Sequence, residues 1–356
     1  VDFNNSAGGD FATDSNLSTL GSDLTPSAGK PTNVQVGSRF EETDTRKMYH
    51  YVNWGDNWYL EGSTIPPQPN TRGIWAGGNI SGGISDTMDY VTIATTGNAT
   101  DFGNLLTNIK QWAGVSTTSR GVFGGGSTGS DTNIMEYVTI STPANSTDFG
   151  DLTVARRGTA GVSSETRGVF IGGYAGGYQN TMDYITIATV GNATDFGDTI
   201  SNFYHGAGVS NDTRGVFSTA YIGSAISNQI QYITIASAGN ATDFGDLTVA
   251  RQQGAGVSSD TRGVFVSGYE GSSVFTNTMD YITIASTGNA TDFGDLSYAT
   301  EGITGVGNIT RGIVAGGDSS GIVNTISYIT IATTGNTTDF GDLTVARFNT
   351  GGVSGI

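Results

Sequence analysis

From Thr71 onward the apolar and polar positions follow one order many times over: short apolar runs separated by Gly, Asn, Asp and Ser turns. In one copy, Gly158-Thr159-Ala160-Gly161-Val162-Ser163 reads as a short first strand and Ser164-Glu165 as a turn. Arg167-Gly168-Val169-Phe170-Ile171-Gly172-Gly173 reads as a second strand, which can leave sharply at its glycine pair. Thr181-Met182-Asp183-Tyr184-Ile185-Thr186-Ile187-Ala188 supplies the β-formers of a third strand. Gly191-Asn192 makes a hairpin turn, and Thr194-Asp195-Phe196-Gly197-Asp198 opens a fourth strand. No window keeps a 3.6-residue period over ten residues, so essentially no helix is predicted.

The arginine that opens the second strand recurs at Arg72, Arg120, Arg167, Arg214, Arg262 and Arg311, with gaps of 48, 47, 47, 48 and 49 residues. Six units of four antiparallel strands predict an all-β fold of six blades around an axis. The first copy begins at its second strand, Arg72-Gly73-Ile74-Trp75-Ala76. The chain ends on a spare first strand, Phe348-Asn349-Thr350-Gly351-Gly352-Val353-Ser354. The C-terminal strand is therefore expected to complete the first blade and close the ring.

The N-terminal part differs. Residues 1–30 are rich in Gly, Ser, Asn, Asp and Thr, and read as a tail that is flexible or ordered by a partner. Residues 31–62 read as a small β meander, with strands at Val34-Gln35-Val36/Arg39-Phe40, Met48–Val52 and Trp58–Leu60. Residues 63–70 hold half of the six prolines and read as a stiff linker to a propeller over 71–356.

Composition narrows the function classes. The 55 glycines lack a Gly-X-Y period, which excludes collagen. Zero cysteines remove disulfides, thiolate metal sites and cysteine nucleophiles. No run of 18 apolar residues is present, so no transmembrane helix is predicted. No signal peptide is visible, and a start at Val1 reads as a processed start or a mature fragment. A net charge of -17 repels nucleic acid and anionic membranes, and points to a solvated external protein with neither as partner.

The order of elements resembles the kelch family of β-propellers over residues 71–356. The likeness rests on Arg156 ahead of the first strand, Gly172-Gly173 closing the second, Tyr184 in the third and an aromatic, Phe196, in the fourth. It departs from that family where Trp is usual, since every copy has Phe: Phe102, Phe149, Phe196, Phe244, Phe293 and Phe340. Gly-Gly is also broken at Ser218-Thr219 and Ser267-Gly268. The repeat wording around Tyr184-Ile185-Thr186-Ile187 resembles repeats in virion proteins of marine bacteriophages. Gly37–Tyr49 is similar to a small module of phage tail-fibre-type proteins. The resemblance implies an extracellular virion appendage, a homo-oligomer held to other virion proteins through its N-terminal region. It implies attachment to a host-surface glycan or protein, with no enzyme activity and no cofactor. A purely structural subunit of an external assembly is the alternative.

Candidate site residues divide into those that repeat and those that vary. The six repeat arginines, Arg72 to Arg311, read as structural, each pairing with an acid or carbonyl at a blade junction. The Asp before each Phe (Asp101, Asp148, Asp195, Asp243, Asp292 and Asp339) is the favoured acidic partner. The third-strand acids are not, because Gln231 and Ser327 stand among them. Arg156, Arg251 and Arg347 alternate with Ile109, Phe203 and Thr300 when the copies are aligned on Gly-Val. They read either as three guanidiniums near one channel mouth, able to hold a carboxylate or sulfate, or as arginines covering blade edges. An arginine triad is also what sialidase propellers use, which leaves a glycan hydrolase as a remote alternative. Tyr174, Tyr178, Tyr221, Tyr269 and Phe275 lie on loops after the second strand that differ from copy to copy, and suit stacking on sugar rings. The Asn of each Asn-Ala-Thr triplet reads as a turn residue that tolerates positive φ. Asp195/Asp198-type pairs are loosely spaced for calcium, and His50 and His205, the only histidines, lie in different modules of a chain without Cys, so no zinc or triad site and no metal is expected.

Overall fold

The computed structural model describes residues 72–223 and 225–355, together with four strands nearer the N-terminus. The chain divides into two compact units, 1–68 and 69–356. In the first, Asp23–Leu24, Asn57–Leu60, Met48–Val52 and Arg39–Glu41 pair antiparallel in that spatial order. The Asp23–Leu24 strand arises within the stretch read as a tail. Two residues of backbone pairing need no apolar periodicity, so the pattern gave no sign of it. The rest of the tail, the Val34–Val36 strand and the 63–70 linker lie outside the described residues.

The second unit is a six-bladed β-propeller. In blade 3, for example, Ala160–Ser163, Arg167–Ile171, Gln179–Thr186 and Thr194–Phe203 run from the axis outward in sequence order. Blade 1 is closed by the chain's last strand, Gly351–Ser354, which pairs antiparallel with Arg72–Ala76, placing Val353 opposite Ile74. The other inner strands are Ala113–Ser116, Gly208–Ser210, Ala255–Ser258 and Thr304–Gly307.

The Gly-Val-Ser wording of the inner strands follows from crowding at the axis. Gly114, Gly161, Gly208, Gly256, Gly305 and Gly352 form a ring in which each packs on the preceding blade's glycine carbonyl. A Cβ on any of them would lie 2.0–2.7 Å from that oxygen, so no larger residue fits. The valine beside each turns the other way, into the interface. Val115 contacts the backbone at Gly168 of the next blade, as Val162 does at Gly215. Cores therefore form between blades. One joins Val122, Met135 and Phe149 of blade 2 to Phe170, Ile185 and Ile187 of blade 3.

The repeat arginines belong to this framework. Each guanidinium lies over its own blade's third-strand tyrosine, 4.3–4.7 Å from the ring centroid. Each also donates to a backbone carbonyl of the next blade, as Arg167 does to Ile235 at 3.0 Å and Arg311 to Ile93 at 2.9 Å. The tyrosine in turn meets the fourth-strand Phe edge-on, with centroids 5.8–6.1 Å apart in all six blades. The fourth-strand Phe thus completes an Arg–Tyr–Phe stack that recurs in every blade. The Asp before the Phe is exposed and is not the arginine's partner. The turn asparagines also differ from expectation. They do not sit at positive φ. Each Oδ1 accepts from a backbone N–H of the preceding blade's outer strand, Asn192 from Asp151 and Asn98 from Asp342, which latches neighbouring blades.

Candidate functional site

Six residues ring one mouth of the central channel, each four positions before the inner-strand valine: Gln111, Gly158, His205, Gln253, Gly302 and Asn349. All six adopt the left-handed backbone conformation, with φ between 56° and 66°. This turns every N–H toward the carbonyl of the preceding blade's member. Gly158 donates to Gln111, His205 to Gly158, Gln253 to His205, Gly302 to Gln253, Asn349 to Gly302 and Gln111 to Asn349, at 2.6–3.2 Å. The result is a closed annulus of six hydrogen bonds. Four members carry side chains, and each such residue stores on the order of 1–3 kcal/mol of backbone strain, which the closed ring holds in place.

Above blades 3 to 5 the annulus opens into a cavity of about 790 Å³. Its walls are Tyr174, Tyr178, Tyr204, Tyr221 and Tyr269, with Arg157, Gln111, Gln252 and Gln253 among the polar groups. Local pairing positions the rings. Tyr174 bridges Arg157 on one side and Tyr178 on the other; Tyr221, in the hairpin Tyr221–Ile222/Ala225–Ile226, bridges Tyr204. Tyr269 is carried by the lengthened hairpin Arg262–Gly271/Val274–Thr283, and its hydroxyl accepts from the Ser273 N–H at 3.0 Å. Tyr178 is the hub, with centroids 5.9 Å from Tyr174, 6.3 Å from Tyr204 and 5.5 Å from Tyr221. Phe275 packs across the strand from Tyr269, with centroids 5.8 Å apart, and does not line the cavity.

Arg157 is satisfied within the basin. Its guanidinium lies 4.5 Å over the Tyr174 ring and 5.9 Å from that of Tyr204, and pairs with the Asp131 carboxylate. The floor is His205. It is buried, its ring lies against Tyr204, and its Nε2 accepts from Gln111 Nε2 at 3.2 Å. Burial first, and the Arg157 charge second, push this imidazole down to about 3, so it is neutral across the physiological range. Burial likewise holds the Tyr204 hydroxyl above the usual tyrosine range, hence protonated. The basin thus offers stacking faces, hydroxyls and amides.

The structure gathers Tyr174, Tyr178, Tyr221 and Tyr269 from different loops into one site, and leaves the alternating arginines out of it. Arg156, Arg251 and Arg347 are buried inside blades 3, 5 and 1, where they pair with Asp183, Asp280 and Asp89 at 2.7, 2.7 and 2.5 Å. Burial lowers the pKa of Arg156 and Arg347, opposed by their aspartates. Arg156 and Arg347 have no exposed surface and Arg251 almost none, so they present no anion site at the mouth and no sialidase-like triad. The reason is register. The arginine column lies six positions before the inner-strand valine and points into the blade, whereas the next two columns face the mouth.

Those next two columns hold the residues that sequence reasoning missed: Arg157 and Tyr204 in one, Gln111, His205 and Gln253 in the other. Their signal was variability. The outer column reads Lys110, Arg157, Tyr204, Gln252, Glu301 and Phe348 around the ring, six different residues at one structural position. Among the described residues no group of three or more His, Cys, Asp or Glu side chains is arranged to hold a metal. No protein-family model matches this chain, and a search of curated proteins finds none similar to it.

Proposed function

We propose that the chain is a non-catalytic attachment protein of a phage virion, and that the tyrosine basin is its receptor site for a host-surface glycan. The observation that carries the reading is the convergence of four tyrosines from three variable loops, with Tyr204 from the segment before an inner strand, on one rigid, hydrogen-bonded mouth. Loops on a rigid scaffold are the usual place for recognition, and a concave site of several hundred Å³ in which aromatic faces alternate with hydroxyls and amides suits a small hydroxylated ligand better than a flat protein surface. The lining favours binding over catalysis. Its histidine is neutral and sealed, and its arginine is already paired. The virion setting is supported by the repeat wording and by the Gly37–Tyr49 stretch.

Two measurements test this. Antibody labelling of native particles in the electron microscope should place propellers at free distal ends; propellers packed between neighbouring subunits would leave only a structural spacer. Fluorescent full-length chain should bind host cells, and Tyr178→Ala should weaken that binding about tenfold or more while leaving the thermal melt unchanged. Equal binding by the variant would remove the basin from the proposal.

A further inference from the structure

The electrostatic state of the basin narrows the ligand class, on the reading that the basin is a glycan site. Three classes of ligand suit a tyrosine cluster: a cation held by π faces, an anion held by Arg157, and an uncharged hydroxylated ring stacked on the aromatics. The cation position is filled from within. Arg157 occupies the faces of Tyr174 and Tyr204, at 4.5 and 5.9 Å, and the tyrosines around Tyr178 pack on one another edge-on, tilted or stacked rather than facing inward as a cage. An anion is disfavoured twice. Asp131 neutralises Arg157, and a chain of net charge -17 repels polyanions before they arrive. Yet no carboxylate lines the cavity itself, so nothing in it demands a positive ligand.

We infer that the basin recognises a neutral, hydroxyl-rich oligosaccharide. The apolar C–H faces of its rings stack on Tyr178 and its neighbours. Its hydroxyls exchange hydrogen bonds with the amides of Gln111, Gln252 and Gln253 and with the tyrosine hydroxyls. Uronic, sulfated and sialylated sugars are disfavoured because Asp131 cancels the Arg157 charge, and quaternary ammonium groups because Arg157 already lies on the tyrosine faces. Asp131 is thus a specificity residue: its removal frees the guanidinium.

The test is calorimetric titration of the full chain with three probes: a panel of neutral hexose and N-acetylhexosamine oligosaccharides, a panel of uronic and sulfated oligosaccharides, and choline. Binding to a neutral member is expected, unchanged between 50 and 500 mM salt and weakened about tenfold or more by Tyr178→Ala. Asp131→Asn is expected to keep that binding and to add salt-sensitive affinity for acidic sugars. Salt-sensitive binding of acidic sugars, or binding of choline, by the wild-type chain would overturn the neutral-ligand inference, the former while leaving a glycan site intact. Wild-type chain that binds host cells but no sugar of either panel would overturn the inference and the glycan reading together, in favour of a protein receptor.

Discussion

Glu136 shows how one residue departs from its repeat. In blades 1, 3 and 5 the third-strand carboxylates Asp89, Asp183 and Asp280 have an arginine; in blade 2 the matching arginine position is Ile109. Glu136 is fully buried all the same. Its Oε2 accepts from the Leu106 N–H at 3.0 Å and the Ser146 hydroxyl at 2.5 Å, and its Oε1 has no partner. Burial raises its pKa against the lowering effect of those two hydrogen bonds, and the charge of Asp148 adds a smaller push upward. A raised carboxyl pKa means that the folded state holds its proton longer than the unfolded chain does. Stability from this site is therefore complete below the unfolded-state pKa and is lost as pH rises through the folded-state value. Blade 4 already carries the remedy, since Gln231 accepts the equivalent Ile200 N–H at 2.9 Å without a charge. Glu136→Gln is expected to raise Tm at pH 8 and to change it little at pH 4, as read by calorimetry at both values; equal gains would disprove a buried charge. The sequence displayed this column as Asp, Glu, Asp, Gln, Asp and Ser, and its mixed character correctly separated it from the Arg72-type arginines. What went unread was its alternation in step with Arg347, Arg156 and Arg251, because covariation between columns becomes a contact only once the register is known.

At the scale of elements, each blade solves the same interior problem in one of two ways. Odd blades insert an arginine and pair it with an aspartate, with Thr153, Thr248 or Thr344 adding a hydroxyl donor to the same carboxylate. Even blades use other fillings. Blade 4 buries Phe203, stacked on Phe217 with centroids 5.9 Å apart, and carries the neutral Gln231, and blade 6 reaches the Thr325 carbonyl with the Tyr298 hydroxyl, the role that Arg347 plays toward Thr87. Breaking one member of a buried pair strands a charge, at a cost of about 3–5 kcal/mol, whereas replacing both with a packed neutral pair is often nearly neutral. Arg156→Phe alone is expected to destabilise by about that amount, while Arg156→Phe with Asp183→Gln, which copies blade 4 into blade 3, should recover most of the loss. Urea unfolding of the two single variants and the double variant checks this; additive losses would show that the pair is not the unit. The strands themselves were legible, because apolar alternation and Gly-rich turns mark them locally. The basin was half legible. Tyr174, Tyr178, Tyr221 and Tyr269 stood out as aromatics on unlike loops, but their convergence depends on bridges such as Tyr204 to Tyr221, which no local pattern announces.

For the whole molecule the decisive contact is the one that joins its two ends. Gly351–Ser354 supplies the inner strand of blade 1, and the matching fragments at the ends of the repeat make this legible in the sequence. What the sequence did not display is how much else closes with it. Asn349 completes the hydrogen-bonded annulus at one mouth by donating to Gly302 and accepting from Gln111. At the other mouth, Ser354 Oγ accepts from the Gly307 N–H and Ser116 Oγ donates to the Ser354 carbonyl. The ring is therefore sealed at three levels by the six residues from Asn349 to Ser354. Removing residues 348–356 would expose the Arg72–Ala76 edge, empty the place of Val353 and open both rings. With about 1.5–3 kcal/mol for the buried valine and about 1 kcal/mol for each lost ladder bond, the loss is roughly 5 kcal/mol or more. For a domain of this size that corresponds to a fall in Tm on the order of 10 °C. The truncated chain is expected to melt at least that much earlier and over a broader range, since the six interfaces would no longer form a closed cycle, and a synthetic peptide spanning 348–356 should restore part of the loss. A truncated chain that melts at the wild-type temperature would show that the blades stand without the closure, and that the annulus beneath the tyrosine basin owes its geometry to each blade separately.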